Sequence, residues 1–247
     1  MENLNKIATE LRQELIKLHY EKKVGHTGIA LSSLDILIAL YFGVMTKKDK
    51  FVLSKSHAAT AFYTVLHKKK ILNDEIYGSF HHNNSELGEH VTLKNEFMGG
   101  SLGHGEAYAI GLAYGAKLNK ERGRVYCLTG DAEWQEGSSL EALQLTSRLK
   151  LDNLCFIVDM NLFGAYQQIN IDTMQNLKNY ASSLGFKTSL VDGHKISGLI
   201  KNLKSNNKES QFILCKTVMG HGIPTMEKNQ SGHYRPPNDE EWQEVNK

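Results

Sequence analysis

Two polar residues that could bind a metal ion together follow apolar, strand-like runs of the sequence. The run Arg124–Leu128 is followed by Asp131, and the run Leu154–Val158 is followed by Asn161. These two residues are thirty positions apart (161 minus 131), which is about the length of one strand–helix–strand unit. Because ligands of parallel sheets bind at the carboxyl ends of the strands, we expect both side chains at one crevice.

A carboxylate and an amide oxygen are hard ligands, which suit magnesium or calcium. Magnesium is often held by one or two protein groups together with substrate phosphates, so the pair indicates a metal-bridged diphosphate. A local explanation also fits the spacing: Asp131 caps the helix that follows it, and Asn161 forms a turn with its own backbone. The spacing alone leaves both explanations open.

The elements that must position this pair alternate between helix and strand. Apolar spacing predicts helices over about residues 3–22 and over residues 36–41, with a strand over Phe51–Leu53. After the chain break that ends at Gly105, we predict a helix of small residues that runs to about Asn119. From residue 124 onward, the predicted strands are Arg124–Leu128, Leu154–Val158, Lys187–Val191 and Gln211–Lys216, and the predicted helices are Leu140–Leu149, 173–184 and Ile196–Leu203. This order predicts an α/β fold, a doubly wound parallel sheet with helices on both faces. We predict one domain over residues 1–247, with an irregular tail from about residue 217.

Two segments before residue 124 have an unusual composition. Residues 78–98 are polar and carry paired histidines and asparagines, so we predict an exposed loop. The helix that runs to about Asn119 contains small residues such as Ala107, Gly111 and Gly115. A helix this thin can approach another backbone closely, so we expect it to be buried or at an interface.

Bulk composition excludes several classes of function. The 247 residues, 40% of them hydrophobic, suffice for one large domain. A formal net charge of only +2 gives no basic field for nucleic acid or an anionic membrane. Cys127, Cys155 and Cys215 lie in apolar runs without a CxxC motif, so we expect buried free thiols in a reducing compartment. We find no apolar signal region and no stretch long and apolar enough to span a bilayer, and therefore expect a cytoplasmic protein.

Gly130-Asp131-Ala132 followed by Asn161 resembles the thiamine diphosphate fingerprint, a Gly-Asp-Gly followed by an asparagine. The residues between these positions are similar to the transketolase version of it. Further transketolase-like motifs occur in the family's order: Gly25-His26-Thr27-Gly28, Leu53-Ser54-Lys55-Ser56-His57, Gly100–Gly105, Glu136–Ala142, Leu149–Leu154, Asp192-Gly193-His194 and Lys216-Thr217-Val218. Because the motifs cover nearly the whole chain, the resemblance favours the thiamine diphosphate-binding part of a transketolase.

The resemblance implies a role for each matching residue. Asp131, Asn161 and the backbone carbonyl of Phe163 would bind Mg²⁺. Gly130 and Ala132, with the metal, would hold the diphosphate.

Further roles follow for the rest of the site. The residues that would line the aminopyrimidine and thiazolium rings are Gly100, Ser101 and Leu102. His57 and His233 would lie beside the diphosphate and the reacting carbon. His26 would contact the sugar and move protons, and Glu136 would lie at a subunit contact.

The sequence departs from the family pattern at the fingerprint itself. Ala132 replaces the second glycine, which costs about 1 kcal/mol if the position requires a positive φ or a close approach of the diphosphate. We expect adjusted rather than abolished cofactor binding. The Glu133-Trp134 pair that follows is also unusual, and the sequence offers no physical account of Trp134.

Two other types of site have weaker support in the sequence. His81, His82 and His90 could suggest zinc, but no fourth ligand has metal-site spacing. The segment Gly103–Tyr108 lacks the third small residue of GxGxxG and follows no clear strand, which argues against nicotinamide binding.

Transketolase chemistry also requires a glutamate that sets the tautomer of the aminopyrimidine, and in this family that glutamate belongs to a second, pyrimidine-binding domain. The resemblance therefore implies the N-terminal subunit of a split transketolase, which is active only with a C-terminal partner, as an α2β2 heterotetramer. It would transfer a two-carbon ketol unit between sugars or sugar phosphates. Alternatives are a related thiamine diphosphate-dependent synthase, a 2-oxo acid decarboxylase subunit or a catalytically silent regulatory subunit.

Overall fold

Five strands form the centre of the protein, whose computed structural model describes residues 2–82, 85–88, 99–164, 167–205, 209–229 and 232–246. The strands are β1 (Lys50–Leu53), β2 (Val125–Gly130), β3 (Leu154–Met160), β4 (Lys187–Asp192) and β5 (Gln211–Lys216). All neighbours pair in parallel, in the order β1-β2-β3-β5-β4. Gly130 lies opposite Asp159, so β2 and β3 end at the same edge of the sheet.

Helices cover both faces of this sheet, which confirms the predicted α/β, doubly wound architecture. The helices are α1 (Glu2–Lys22), α2 (Thr27–Ile38), α3 (Ala59–Lys68), α4 (Asp74–Gly78), α5 (Gly105–Leu118), α6 (Gly137–Arg148), α7 (Ile171–Ser183), α8 (Ile196–Leu203), α9 (Pro224–Asn229) and α10 (Asp239–Val245). One apolar cluster joins α1, α2, α3 and α8 to one face of the sheet. A second cluster joins α5, α6 and α7 to the other face, because successive strand residues point to opposite sides.

The thin helix α5 is only half covered, since Ala109 and Ala113 are buried whereas Tyr114 and Leu118 are exposed. The three cysteines are buried free thiols, as the sequence predicts. Of the polar segment 78–98, residues 83–84 and 89–98 lie outside the described residues, so the loop prediction there stays a prediction.

The prediction that no stretch is long and apolar enough to span a bilayer is wrong, because one stretch has both the length and the apolar composition for it. Thr27–Val44 has a mean hydropathy of 1.7 over 18 residues. This stretch continues α2 through a π-helical turn, Ala39–Val44, and 78% of it is buried inside the protein. Its apolar character is accounted for by packing between α1, α3 and α8.

The tail after residue 217 is not irregular throughout, contrary to the prediction, because it contains α9 and α10. Asn238 and Glu241 form a reciprocal capping box that begins α10. Trp242 stacks on Tyr20 of α1, with ring centroids 4.8 Å apart. Local capping and a single aromatic contact are weak signals in a sequence, so apolar periodicity does not reveal this short helix.

A buried carboxylate near the end of β3 ties together four parts of the chain. Asp159 is fully buried and forms an ion pair with Lys55, which follows β1. Ser32 Oγ, in α2, lies 2.6 Å from Asp159 Oδ2, and Thr217, after β5, donates to the other oxygen. Burial alone would raise the pKa of Asp159, but Lys55 and these hydroxyl donors hold the pKa below its ordinary value.

A buried histidine holds the turn between α1 and α2. His19 Nδ1 lies 3.0 Å from the Val24 carbonyl oxygen, and Nε2 lies 2.8 Å from Thr60 Oγ1. These contacts fit a neutral ring that donates from Nδ1 and accepts at Nε2. Burial lowers the pKa of His19 to about 4, against the opposing effect of the Val24 carbonyl. Protonation would keep the contact with Val24 but remove the acceptor at Nε2 that faces Thr60, so the full set of contacts requires a neutral ring.

The Lys55–Asp159 pair gives a stability prediction. Lys55→Met leaves a buried carboxylate without its cation, so we expect the free energy of unfolding to fall by about 3–5 kcal/mol. Adding Asp159→Asn removes that charge, and the double variant should regain most of the loss. Urea unfolding of the two single variants and the double variant measures the coupling. A loss below about 1 kcal/mol for Lys55→Met, typical of exposed pairs, would contradict this account.

His19 gives a prediction for pH dependence. Its pKa is about 4 in the folded chain and 6.5 in the reference state, so unfolding takes up a proton between these values. The free energy of unfolding should therefore decrease as the pH falls from 6.5 toward 4, by about 1.4 kcal/mol per unit of pKa difference. His19→Gln should remove this component in urea unfolding at several pH values. His104→Gln, at an exposed position, is the control. An unchanged slope in His19→Gln would show that His19 does not supply it.

Candidate functional site

A cavity of about 170 Å³ opens at the carboxyl ends of β1, β2 and β3. Its lining comes from segments far apart in sequence: Ile29, Lys55, His57, Gly100, Leu102, Gly130, Asp131, Ala132, Glu133, Asn161, Phe163, His233 and Tyr234. Most of the residues that the sequence identifies as candidates thus meet at one crevice.

Asp131 and Asn161 meet at the bottom of this crevice, as their positions after β2 and β3 predict. Asp131 Oδ2 accepts the backbone N–H of Leu162 at 2.5 Å, and Oδ1 accepts that of Ala132 at 2.9 Å. Asn161 Oδ1 accepts the N–H of Phe163 at 2.9 Å. The local capping and turn contacts therefore exist, but they orient both side chains at one place rather than replacing the crevice.

The same two side chains suit a hard divalent cation. Asp131 is 1% exposed and Asn161 is 7% exposed. Burial raises the pKa of Asp131 to about 7, against the opposing charge of Lys55. Desolvation destabilises the charged form of this carboxylate, and a nearby cation would stabilise it. Each carboxylate oxygen accepts one N–H and keeps a second lone pair with which it could bind the cation. Phe163 also lines the cavity, and with its backbone carbonyl the donor set would be all oxygen, which fits Mg²⁺.

The substitution at the fingerprint causes no backbone strain. Ala132 begins a short 3₁₀ helix, Ala132–Gln135, and has a negative φ. The conformational cost considered for alanine at this position does not arise, because no left-handed conformation is required. Gly130 also borders the cavity, and its N–H is already donated to Glu133 Oε2 at 2.8 Å. Contact with a diphosphate at Gly130 would therefore use its Cα rather than its amide.

The loop 100–103 brings two of its three predicted residues to the cavity. Gly100 and Leu102 line it, whereas Ser101 is exposed and does not, so a cofactor role for Ser101 stays a prediction. Gly103 has a φ of 79°, and a Cβ there would lie 2.9 Å from the Glu136 Cβ. Glycine is required at that position because both the conformation and the space exclude a side chain.

The three histidines predicted to be catalytic form one cluster. His26 has a φ of 61°, and its ring centroid lies 4.8 Å from that of His57 and 6.1 Å from that of His233. His57 and His233 line the cavity directly, and His26 lies against both. Burial lowers the pKa of His233 to about 4, with His26 and Lys55 acting in the same direction. His233 is therefore a neutral ring at neutral pH.

Close backbone contacts hold the tail that carries His233. Gly28 N–H donates to the Gly232 carbonyl at 2.9 Å, and Gly220 N–H donates to the Gly28 carbonyl at 3.0 Å. A Cβ at Gly28 would lie 3.1 Å from the Gly232 oxygen. The glycines of the motif around His26 thus let the tail approach closely enough to place His233.

Four cavity residues are not identified as functional candidates from the sequence: the apolar Ile29 and the polar Lys55, Glu133 and Tyr234. Lys55 lies in the transketolase-like motif that ends at His57, and this position is the only sequence signal for it. Glu133 follows the fingerprint directly, but its type and position suggest no role by themselves. Tyr234 is 61% exposed, and its ring centroid lies 4.2 Å from that of His233, a contact that no local pattern indicates.

Trp134, for which the sequence offers no explanation, is a core residue. Its Nε1–H donates to Thr129 Oγ1 at 2.9 Å, and its ring packs edge-on against Phe156 and Phe212. The indole therefore anchors the segment after the fingerprint to the sheet.

Glu136 is exposed, as a residue at a subunit contact would be in a single chain. His81 and His82 are also exposed, and His90 lies outside the described residues.

Within the described residues, Asp35, His194 and His221 come close enough to hold a metal ion. His194, however, uses both ring nitrogens in hydrogen bonds, one with Asp35 at 2.8 Å and one with the N–H of Val218 at 2.9 Å. Arg12 neutralises Asp35 at 2.7 Å. Hydrogen bonds and an ion pair thus account for this trio without a metal ion.

Comparison with known proteins agrees with this geometry. Residues 5–247 match the family model described as transketolase, thiamine diphosphate binding domain. The chain is 30% identical to one of the named subunits of apulose-4-phosphate transketolase from Phocaeicola vulgatus, over 99% of this chain and 93% of that protein. It is 32% identical to human transketolase, over 96% of this chain and 40% of that protein.

Solved structures give the same result. Transketolase from Campylobacter jejuni superposes with a TM-score of 0.90 at 28% identity, over 98% of this chain and 42% of that one. The chain thus spans about 40% of these two transketolases and nearly the full length of the relative from Phocaeicola vulgatus. On these matches and the arrangement of its crevice, the chain belongs to the transketolase family, within the thiamine diphosphate-binding domain.

Proposed function

We propose that this chain is the N-terminal subunit of a two-chain transketolase that uses thiamine diphosphate and Mg²⁺. The observation that carries the proposal is the meeting of Asp131 and Asn161 beside the histidine cluster, in a chain whose family is defined by thiamine diphosphate binding. The reaction transfers a two-carbon ketol unit from a ketose donor, free or phosphorylated, to an aldose acceptor.

In this proposal the crevice binds the diphosphate half of the cofactor. Asp131, Asn161 and the Phe163 carbonyl hold Mg²⁺, and Gly130 and Ala132 contact the diphosphate. The chemistry that the cofactor supplies when bound is carbanion formation at its thiazolium carbon. The chain's own contribution is to orient that ring and exclude water around it.

In this proposal the histidine cluster binds the sugar and transfers its protons. His57 and His233 border the cavity where the diphosphate and reacting carbon lie, and His26 contacts the sugar hydroxyls. A neutral ring such as His233 can accept a proton or a hydrogen bond from a hydroxyl group, which a protonated ring cannot do. General acid–base transfer by such groups contributes about 10²- to 10⁴-fold to rates.

A separate partner subunit completes the site. The relative from Phocaeicola vulgatus, of which this chain covers 93%, is itself named as one subunit of its transketolase, which supports a split enzyme. The outer faces of α5 and α6 also expose large apolar side chains, namely Tyr108, Tyr114, Leu118, Leu140 and Leu145. Apolar surface of this kind is typical of interfaces. We propose that a C-terminal subunit with the pyrimidine-binding domain covers this face in an α2β2 heterotetramer and supplies the activating glutamate.

Complementation tests the proposal. The purified chain is mixed with a candidate C-terminal subunit, thiamine diphosphate and Mg²⁺, and ketol transfer is measured by product analysis. We expect no turnover from either chain alone and turnover from the mixture. His26→Gln should lower turnover by about a hundredfold or more, whereas His104→Gln at an exposed position should not.

Two outcomes count against it. Turnover by this chain alone would disprove the requirement for a partner. Release of carbon dioxide from a 2-oxo acid without ketol transfer would indicate a decarboxylase subunit instead.

A further inference from the structure

Two buried carboxyl groups lie at the proposed diphosphate site, and one of them belongs to the cavity lining. Glu106, at the start of α5, and Glu133, just after the fingerprint, are both 0% exposed. Ser54 connects them, because its Oγ lies 2.5 Å from Glu133 Oε1 and 3.1 Å from Glu106 Oε2. Ser139 Oγ lies 3.0 Å from the other oxygen of Glu106.

Proton counting shows why this pair is unusual. Ser54 carries a single hydroxyl proton, so it can donate to one carboxyl group and must accept from the other. The second contact of Ser54 is therefore a hydrogen bond only where one of the two carboxyl groups carries a proton. Both side chains are fully buried, so a charge on either one is costly. A pair this costly to bury calls for a role other than packing.

The two oxygens of Glu133 bind backbone amides from both sides of the cavity. Oε2 accepts the N–H of Gly130 at 2.8 Å, and Oε1 accepts that of Gly103 at 3.2 Å. Gly130 belongs to the fingerprint, and Gly103 ends the loop that brings Gly100 and Leu102 to the cavity.

We propose that Glu133 is a positioning residue that fixes the loop 100–103 relative to the fingerprint, with Ser54 and Glu106 holding its carboxyl group in place. This inference rests on the proposed function. In it, Glu133 sets the distance between the loop 100–103, which would lie under the cofactor rings, and the fingerprint, which would contact the diphosphate. Glu133 acts through the two amides and not by contact with the reacting atoms.

The Gly103 end of this connection has little freedom. Its φ of 79° and its packing against Ser138 and Glu136 fix the direction of its N–H. The neighbouring Gly105 packs directly on Ser54, where an added Cβ would overlap the serine side chain. A change at Glu133 is therefore expected to move the loop rather than to be absorbed by it.

Matched substitutions separate this role from packing. Glu133→Gln keeps the shape, but its amide group must face the N–H of either Gly103 or Gly130, which breaks one contact. Glu106→Gln keeps the contact with Ser54, because its NH₂ can donate to the serine oxygen, and it leaves both amide contacts of Glu133 in place.

The test is calorimetric titration of thiamine diphosphate with Mg²⁺ into each variant, alone and with the partner subunit. Glu133→Gln should raise the Kd by about ten- to a hundredfold, the effect of leaving one buried amide without its acceptor. Ser54→Ala and Glu106→Gln, which both leave the two amide contacts of Glu133 possible, should raise the Kd less than Glu133→Gln. The near-ultraviolet circular dichroism of buried Trp134 and the Tm without cofactor report folding.

Each outcome decides for or against the positioning role. A Glu133→Gln protein with a lowered Tm but a wild-type Kd would show a structural role only and overturn the inference. If Glu133→Gln does not fold, a Kd for Ser54→Ala equal to that of the wild type would overturn it, and a raised Kd would support it. Absence of binding by the wild-type chain and partner would instead refute the proposed function, and this inference with it.

Discussion

The buried charge of Asp159 is the constraint on which the rest of the site depends. A carboxylate with no exposure to solvent must be neutralised and hydrogen-bonded, and its partners come from separate parts of the chain. Lys55 follows β1, Ser32 and Ser33 belong to α2, and Thr217 follows β5. Satisfying one side chain therefore fixes the strand ends, α2 and the start of the tail against one another.

The crevice follows from that arrangement. β2 and β3 end at the same edge, and the Leu162 N–H reaches Asp131 across it. Asp131 therefore lines the same cavity as Asn161. The C-terminal tail packs against Gly28, and this contact places His233 in the lining of that cavity as well. Buried side-chain oxygens lie on one side of the crevice and a neutral imidazole on the other, and we propose that this arrangement binds a metal-bound diphosphate beside a proton-transfer group.

Local patterns in the sequence predict part of this arrangement. Apolar runs that alternate with helical segments predict the parallel sheet. Because Asp131 and Asn161 each follow a predicted strand, the sequence also predicts that they lie together at the carboxyl edge of that sheet. The roles expected for the histidines come from motif resemblance, because a histidine's type and spacing alone do not distinguish a structural ring from a catalytic one. Other features depend on contacts distant in sequence, such as the ion pair between Lys55 and Asp159 and the shared contacts of Glu133. The apolar stretch from Thr27 suits either a bilayer or a core by composition, and only its packing shows that it is core.

The most direct test of the central claim is a comparison of metal dependence at the crevice. Thiamine diphosphate is titrated calorimetrically into the chain with its partner, with and without Mg²⁺, for the wild type, Asp131→Asn and the exposed control Asp172→Asn. The account predicts Mg²⁺-dependent binding in the wild type and in Asp172→Asn, and a loss of at least about a hundredfold in Asp131→Asn, as expected for removal of a charged metal ligand. Equal affinity in all three proteins, or binding that ignores Mg²⁺, would contradict it.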